Sequence, residues 1–252
     1  MTGLLDGKVA IVTGASRGIG AASALAFADA GASVILAART ADRLSALAGQ
    51  ITARGGKALA VPTDVTDPAS MEQLVEKTVA TFGRLDAAFN NAGANQLPRP
   101  LAEIPFEDFE AGLKANLYGV FLAMRFEIPA MLAGGGGAIV NMSSTAGLQG
   151  ALGMGPYAAA KHGVVALTKT AAVDYGRRNI RVNALAPGPI EIEQMTANLN
   201  DERRQIISAR IPMGRLGRTD EVARAAVWLC TDQASFITGA VLSIDGGRLA
   251  GV

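Results

Sequence analysis

The chain has 252 residues, half of them hydrophobic, and its 23 basic side chains nearly balance its 22 acidic ones. This balance supplies no long-range field that would attract nucleic acid or an anionic membrane surface. One cysteine (Cys230) and one histidine (His162) exclude an internal disulfide and a multi-histidine site, and we predict no bound metal. The first residues lack a signal-peptide pattern, and the uncharged run 128–160 is too rich in glycine and polar residues to span a membrane. We therefore expect a cytoplasmic protein that has no membrane or nucleic-acid partner.

Short apolar runs alternate along the chain with segments of 3.6-residue periodicity. We predict strands at Val9–Val12, Val34–Ala38, Ala58–Val61, Leu85–Asn90, Ile139–Met142, Val182–Ala186 and Val241–Ile244. We predict helices at Ile19–Asp29, Arg43–Arg54, Ser70–Phe82, Phe106–Leu132, Tyr157–Arg177 and Glu221–Thr231. Strands that are apolar on both faces and alternate with helices predict an α/β fold: a Rossmann-like, doubly wound, seven-stranded parallel sheet with helices on both faces.

We find no internal repeat, low-complexity tract or linker, so residues 1–252 are expected to form a single dinucleotide-binding and catalytic domain. Asp67-Pro68 predicts a helix start, with the aspartate as the cap. The segment 188–217 is the least regular long stretch, and we predict that it forms a lid over the substrate.

A glycine-rich turn, Thr13 to Gly20, follows the first predicted strand and opens the first helix. Glycines permit close approach of backbone to a pyrophosphate, and a helix N-terminus supplies unpaired amides. The spacing is GxxxGxG rather than the more common GxGxxG, and a tight strand-to-helix turn would also use glycine. Its position directly after a buried N-terminal strand favours nucleotide binding.

Tyr157 and Lys161 lie four residues apart on a predicted helix and therefore share one face. A nearby ammonium favours the phenolate and lowers a tyrosine pKa, which suits the pair to acid/base work on an alcohol or ketone. In isolation the pair is more often an exposed lysine beside a half-buried tyrosine, so the interpretation depends on the rest of the chain.

Several motifs occur together and in order. They are the glycine-rich turn, Asn90-Asn91-Ala92-Gly93, Asn116 in Lys114-Ala115-Asn116-Leu117, Ser144 thirteen residues before Tyr157, Tyr157-Ala158-Ala159-Ala160-Lys161, Pro187-Gly188 and Ile244-Asp245-Gly246-Gly247. In this set the chain resembles the short-chain dehydrogenase/reductase family, in its single-domain form of about 250 residues.

The resemblance implies four catalytic residues. Tyr157 would exchange a proton with the substrate oxygen, Ser144 would orient that oxygen, and Lys161 would bind the nicotinamide ribose and lower the Tyr157 pKa. Asn116 would hold a water linked to Lys161, at a local break in its helix. Ser143 is the neighbouring candidate, but Ser144 is preferred because the family serine precedes xxG, here completed by Gly147.

The resemblance also implies a cofactor site. Its residues are Gly14, Ser16, Arg17, Gly18, Ile19, Gly20, Arg39, Asp64, Val65, Asn91, Ala92, Gly93, Tyr157, Lys161, Pro187, Gly188 and Ile190. Asp64-Val65 would contact the adenine, although Asp64 could instead cap the local turn.

NAD-preferring sites place a carboxylate after the second strand, whereas this chain has Ala37-Ala38-Arg39-Thr40 there. Arg39 and Arg17 suit a 2′-phosphate, so we predict NADP(H), although either arginine could simply be solvated.

Candidate substrate residues are Asn95, Gln149, Met154, Ile192 and Met195, accompanied by Gln96, Leu148 and Leu152. Most are apolar and suit a small-molecule ketone or secondary alcohol with hydrophobic substituents, although about half of such residues would simply pack the core. Ile192 stands where many relatives have threonine, unless a shifted loop puts Thr196 in that role.

The resemblance implies a homotetramer, with 106–132 and 157–177 pairing across one axis and the chain end across another; the same faces could simply pack on the sheet. The alternative functions are reduction of 3-oxoacyl groups on acyl carrier protein or coenzyme A, enoyl reduction, sugar-alcohol oxidation and non-catalytic NADPH binding. Related enoyl reductases alter the tyrosine spacing, and degenerate members lose the tyrosine or the lysine.

Overall fold

The computed structural model describes residues 3–193 and 200–251. Its strands are β1 (Val9–Thr13), β2 (Ser33–Ala38), β3 (Lys57–Pro62), β4 (Ala87–Asn90), β5 (Gly137–Met142), β6 (Ile180–Pro187), β7 (Ile190–Glu191), β8 (Gly217–Arg218) and β9 (Val241–Ile244). Its α-helices are α1 (Gly18–Asp29), α2 (Ala41–Ala53), α3 (Pro68–Phe82), α4 (Phe106–Leu113), α5 (Gly119–Ala133), α6 (Gly155–Tyr175), α7 (Asp201–Ser208) and α8 (Thr219–Cys230).

The predicted sheet is confirmed: within the described ranges, seven strands pair in the order β3-β2-β1-β4-β5-β6-β9, and every pair is parallel. Successive side chains along each strand point to opposite faces of the sheet, so the strands contribute to two hydrophobic cores, one on each face. Ala10 and Val12 of β1 pack with α1, α2 and α8 on one face. Val9 and Ile11 pack with α3, α5 and α6 on the other. The sheet is therefore covered on both faces, as the apolar runs predict.

The predicted helix start at Asp67 is also confirmed. The Asp67 carboxylate accepts a hydrogen bond from the Ala69 N–H at 3.2 Å, and Pro68 occupies the first turn, where a missing N–H costs nothing. At the other end of this helix, Gly83 adopts a left-handed conformation (φ +79°), which glycine tolerates without strain.

The predicted helix at Phe106–Leu132 is wrong as one continuous α-helix. A π-helical segment, Lys114–Tyr118, separates α4 from α5. A π turn holds one extra residue and turns the following side chains around the axis, and such segments often occur at functional sites. Asn116 lies in its middle, as the expected helix break requires.

Within the segment 188–217, the described residues 188–193 and 200–217 contain regular secondary structure that the irregular sequence does not suggest. Strand β7 pairs in parallel with β8 at its far end, through Ile190 opposite Gly217 and Glu191 opposite Arg218. Between them α7 begins at the Asn200 cap, whose side chain accepts from the Arg203 N–H at 2.9 Å. Arg204 of α7 contacts Glu191 at 2.7 Å. The two ends of the predicted lid are thus fastened to each other.

No helix in 3–193 or 200–251 is long and apolar enough to cross a membrane.

Replacing Phe27 by Ala should lower the free energy of unfolding by about 3–5 kcal/mol, because this fully buried ring fills the core between α1 and the sheet. Phe106→Ala is the matched control, since 87% of that ring is exposed, and its change should stay within about 0.5 kcal/mol. Equilibrium unfolding in urea measures both. Equal losses would contradict the burial of Phe27.

Candidate active site

The carboxyl ends of β1 and β4 lie side by side where the strand order reverses, the place where doubly wound sheets bind ligands. Thr13 ends β1, and its hydroxyl oxygen accepts the N–H groups of Asn91 and Ala92, each at 3.0 Å. The Asn91 amide donates to the Thr13 carbonyl at 3.0 Å. These bonds fix the Asn-Asn-Ala-Gly segment against the start of the glycine-rich turn.

The glycine-rich turn requires its glycines for two separate reasons. Gly14 and Gly18 have φ values of +67° and +55°, a region that other residues enter at a cost. Gly20 meets a steric limit instead, because a Cβ there would lie 2.1 Å from the Gly14 carbonyl oxygen. The N-terminus of α1 opens directly from this turn, so the cradle fits the pyrophosphate of a dinucleotide.

Asn116, Gly93 and Lys161 converge beneath the Asn-Asn-Ala-Gly segment. The buried Asn116 side chain accepts from the Ala94 N–H at 3.1 Å and donates to the Ala94 and Gly112 carbonyls at 2.9 and 3.0 Å. A Cβ on Gly93 would lie 2.6 Å from Asn116 Oδ1 and 3.7 Å from Lys161 Nζ. The π segment therefore brings Asn116 close to Lys161, as the sequence predicts.

Helix α6 positions Tyr157 and Lys161 one turn apart. Lys161 Nζ lies 5.5 Å from the centre of the Tyr157 ring and donates to the Met142 carbonyl at 2.8 Å. The Tyr157 side chain lies close enough to Ser144, which follows the end of β5, for that hydroxyl to lower the Tyr157 pKa. The structure thus brings Tyr157, Lys161 and Ser144 together.

Burial governs the ionisation of this pair. Burial raises the pKa of Tyr157 above its ordinary value, and the hydrogen bond to Ser144 opposes that rise. Burial lowers the pKa of Lys161 to about 8. The lowering of the Tyr157 pKa by Lys161 stays a prediction, since in the chain by itself burial is the largest influence on the Tyr157 pKa. Tyr157 keeps its proton at neutral pH.

The choice of Ser144 over Ser143 agrees with the geometry. The Ser143 hydroxyl is buried and donates to the Lys161 carbonyl at 3.0 Å, so it joins β5 to α6. Ser144 is only partly buried; it accepts from the Ala146 N–H at 3.1 Å and reaches Tyr157. Ser143 is a structural residue, and Ser144 faces the site.

Arg39 follows β2 and is exposed, and it lies close enough to Asp64 to help lower the pKa of that carboxyl. The larger cause is the pair of hydrogen bonds that Asp64 accepts from the Thr66 N–H and hydroxyl, at 2.9 and 2.8 Å. Asp64 therefore does close a local turn. Lys114, which the sequence analysis did not select, contributes to the same effect on Asp64. Arg17 is exposed at the start of α1.

Of the other residues expected to bind the cofactor, some make close backbone contacts and others pack against apolar side chains. Gly188 donates to the Ile244 carbonyl at 3.0 Å, and a Cβ there would lie 3.0 Å from Asp245. Val65 packs against Gly119 at the start of α5. Ile190 is buried in the hydrophobic core, so its side chain does not face the site. Ile192 lies over the glycine-rich turn, with its Cγ2 3.4 Å from the Cβ position of Gly18.

Two loops that carry the expected substrate residues lie beside Tyr157. The Gln96 side chain accepts the Tyr157 N–H at 3.0 Å, and the Arg99 N–H donates to the Gly153 carbonyl at 2.9 Å. Asn95 is exposed beside Gln96, whereas Gln149 and Met154 are partly buried around the turn before α6. Met195 and Thr196 lie outside the described residues.

One residue that the sequence analysis did not select is Glu127, which accepts a hydrogen bond from the Asn90 side chain; Asn90 also donates to Asn141, which in turn donates to Thr168. A glutamate within the mostly apolar run 119–133 was the available signal. Periodicity assigns such a residue to the exposed face, yet Glu127 is fully buried.

Gly20→Ala should weaken nicotinamide dinucleotide binding by more than about tenfold, because the added Cβ must displace the Gly14 carbonyl and open the turn. Gly49→Ala is the control, since a Cβ in the middle of α2 meets no atom within 4 Å. Titration followed by protein fluorescence gives both dissociation constants. Unchanged affinity in Gly20→Ala would contradict the assignment of this turn.

The chain matches a family model described as enoyl-(acyl carrier protein) reductase over residues 14–248. It is 44% identical over 251 residues to an A-factor type gamma-butyrolactone 1′-reductase (1S-forming) of Streptomyces virginiae, covering 97% of this chain and 96% of that protein. It is 42% identical over 243 residues to the 3-oxoacyl-(acyl-carrier-protein) reductase of Thermotoga maritima, covering 96% and 98%.

Among solved structures, a 7α-hydroxysteroid dehydrogenase complexed with NADH and 7-oxo glycochenodeoxycholic acid superposes with a TM-score of 0.93 at 35% identity, covering 98% of this chain and 96% of that one. Both the sequence and the fold agree along nearly the whole chain. The chain therefore belongs to the short-chain dehydrogenase/reductase family, a family of nicotinamide-dependent oxidoreductases that act on alcohols and ketones.

Proposed function

We propose that this protein is an NADP(H)-dependent reductase of ketones with hydrophobic substituents, with Tyr157 as the general acid and base. The observation that carries the proposal is the arrangement of Tyr157, close enough to Ser144 for that hydroxyl to lower its pKa, with Lys161 Nζ 5.5 Å from its ring. Lys161 in turn lies beside the Asn-Asn-Ala-Gly segment, since a Cβ on Gly93 would lie 3.7 Å from its Nζ.

The nicotinamide supplies the hydride in reduction and accepts it in oxidation. In reduction the Ser144 hydroxyl donates a hydrogen bond to the substrate carbonyl oxygen and orients it. The Tyr157 hydroxyl donates its proton to that oxygen as negative charge develops on it, giving the alcohol. Because burial raises the pKa of Tyr157, the phenol holds the proton that this direction requires. Oxidation reverses each transfer.

Lys161 and Asn116 support this proton transfer. Lys161 would bind the ribose hydroxyls of the cofactor, and its ammonium would then stabilise the phenolate left after transfer. Asn116, held by three hydrogen bonds in the π segment, would position a water beside Lys161. These roles follow from the closeness of Gly93, Asn116 and Lys161.

The preference for NADP(H) is supported by charge. Arg39 follows Ala38 at the end of β2, where an NAD site would place a carboxylate. Arg17 stands exposed in the glycine-rich turn, and Lys114 lies near Asp64 on the same side. Guanidinium groups make charge-assisted bonds to a 2′-phosphate.

Apolar side chains flank the entrance to the site and support the substrate class. The two loops joined by the Arg99–Gly153 bond expose large aliphatic groups: Leu97, Leu101, Leu148 and Leu152. Such a rim suits a ketone with bulky apolar substituents. The similar proteins include a butyrolactone reductase and a dehydrogenase solved with an oxo-steroid acid, which agrees with this class.

Reduction of 3-oxoacyl groups is the second candidate, favoured by the 42% identity to the Thermotoga maritima enzyme. Arg177 and Arg178 at the end of α6 offer a small basic surface to an acidic carrier. The same proton transfer by Tyr157 would serve this substrate, so a panel that includes an acetoacetyl thioester distinguishes the two.

Tyr157→Phe should lower kcat for ketone reduction by about 10²–10⁴-fold, because it removes the proton donor and keeps the ring. Loss of NADPH absorbance with the ketone panel measures the rate. Tyr175→Phe is the control, since that residue lies at the far end of α6, eighteen residues after Tyr157, and removal of its hydroxyl should leave kcat unchanged. Full activity in Tyr157→Phe would overturn the acid assignment.

Arg39→Asp should reduce kcat/KM with NADPH by about 10²-fold and improve it with NADH, because a carboxylate repels the 2′-phosphate and accepts a 2′-hydroxyl. Arg54→Asp makes the same charge change at the far end of α2 and should leave the NADPH/NADH ratio unchanged. An unaltered ratio in Arg39→Asp would refute the 2′-phosphate role.

A further inference from the structure

Four buried polar side chains form a continuous hydrogen-bonded set behind the catalytic residues, and we call it the buried polar chain. The Asn90 amide nitrogen at the end of β4 donates to Glu127 Oε2 on α5 and to Asn141 Oδ1 on β5, each at 3.0 Å. The Asn141 amide donates to the Thr168 hydroxyl on α6 at 3.0 Å. All four side chains are at most 2% exposed. The chain therefore ties two strands and two helices together away from solvent.

Two oxygens of the buried polar chain lack a hydrogen-bond donor within the described part of the protein: Asn90 Oδ1 and Glu127 Oε1. They belong to the two side chains that already share a bond. An ionised Glu127 has no hydrogen to give and would leave both oxygens unpaired, at a high cost in a dry interior. A neutral Glu127 carries one O–H group, so one of its oxygens can donate a hydrogen bond and is no longer an unpaired acceptor.

The surroundings of Glu127 offer no positive charge to hold it ionised. In the described residues, the buried charged side chains besides Glu127 are Asp86 and Lys161. Asp86 lies before the opposite end of β4 and pairs with Arg84, and the Lys161 ammonium donates to the Met142 carbonyl. The buried side chains of the remaining elements packed on α5 are neutral: Met71, Leu74, Val75 and Thr78 of α3, Val182 of β6 and Asn116 of the π segment. The cations on these elements face elsewhere: Lys77, Lys114 and Arg125 are exposed, and Arg181 donates to the Leu229 and Thr231 carbonyls. Burial raises the pKa of Glu127 to about 7, and the Asn90 hydrogen bond opposes the rise.

Two members of the buried polar chain, Asn141 and Asn90, directly precede residues of the site. Asn141 precedes Met142, whose carbonyl accepts Lys161 Nζ, and Ser143, whose hydroxyl holds the Lys161 carbonyl. Thr168 lies two turns after Lys161 on α6. Asn90 precedes Asn91, which is bonded to Thr13 beside the glycine-rich turn.

We propose that Glu127 is a positioning residue that acts as a neutral acid: through Asn90 and Asn141 it sets the carboxyl ends of β4 and β5 so that Asn91 and Lys161 meet the cofactor. This inference rests on the nicotinamide-binding function proposed above. Glu127 touches neither substrate nor cofactor and acts through the strand ends alone.

The sign of the pH dependence follows from the raised pKa. A group whose pKa is higher in the folded state stabilises that state fully below its ordinary pKa of 4.5, and the stabilisation is lost as the pH rises through about 7. The wild type should therefore lose both stability and cofactor affinity between pH 6 and pH 8.5, relative to a variant that cannot ionise.

Three variants test the proposal. Glu127→Gln keeps a donor and an acceptor but cannot titrate, and Glu127→Leu keeps the bulk and removes both. Ile128→Val is the control, since it trims a neighbouring buried side chain on α5 outside the buried polar chain. The dissociation constant of NADPH is measured by fluorescence at pH 6 and pH 8.5, together with urea unfolding at both pH values.

At pH 6 we expect Glu127→Gln to match the wild type within about twofold, and Glu127→Leu to bind NADPH about tenfold more weakly. At pH 8.5 Glu127→Gln should bind about fivefold more tightly than the wild type. The wild-type to Glu127→Gln ratio cancels titration of the cofactor itself. Ile128→Val should change the stability but not the dissociation constant.

A ratio that stays flat with pH would overturn the proposal, as would equal dissociation constants for Glu127→Leu and Ile128→Val. If Glu127→Leu does not fold, the change with pH in the ratio of the wild-type to the Glu127→Gln dissociation constant decides.

Infrared spectroscopy at pH 6 gives a second readout that needs no cofactor. The wild type should show a protonated-carboxyl band that Glu127→Gln lacks, and absence of that band would refute the neutral state. A wild type that bound no nicotinamide would refute the proposed function instead, and this band would separate the two failures.

Discussion

The parallel pairing of β1 with β4 and of β4 with β5 is the constraint on which the site depends. Because these strands run in one direction and their carboxyl ends meet at one edge, Thr13, Asn90 and Met142 lie side by side although more than fifty residues separate each from the next. Hydrogen bonds join Thr13 to the Asn-Asn-Ala-Gly segment and Lys161 to Met142. These bonds fix the loops and α6 relative to the strand ends. A shift of one strand would separate the glycine-rich turn from the tyrosine.

Burial at this edge shapes the chemistry of both ionisable catalytic candidates. It raises the pKa of Tyr157 and lowers that of Lys161, so burial favours the uncharged form of both side chains. A phenol that keeps its proton suits reduction, and the Ser144 hydrogen bond favours the phenolate that oxidation requires. The same low-polarity environment makes Glu127 more stable as a neutral acid, since within residues 3–193 and 200–251 its hydrogen-bond donor is the uncharged Asn90 amide.

The segment after β6 closes the other side of the cradle. Ile190 inserts into the core and pairs with β8, and Ile192 two residues later lies over Gly18. A side chain anchored in the core thus fixes the next one above the glycine-rich turn.

Local patterns in the sequence determined the seven strands, most of the helices, the capped start at Asp67 and the glycine-rich turn, because apolar periodicity, cap residues and glycine act over a few neighbouring positions. The order of motifs likewise selected Tyr157, Lys161, Ser144 and Asn116. The tertiary structure alone decided how these residues use their polar groups. It showed that Ser143 holds the Lys161 backbone, that Ile190 belongs to the core, and that Glu127 is buried against Asn90. It also showed that burial raises the pKa of Tyr157. Each of these outcomes depends on desolvation and on contacts between residues far apart in the chain, and no local pattern carries that information.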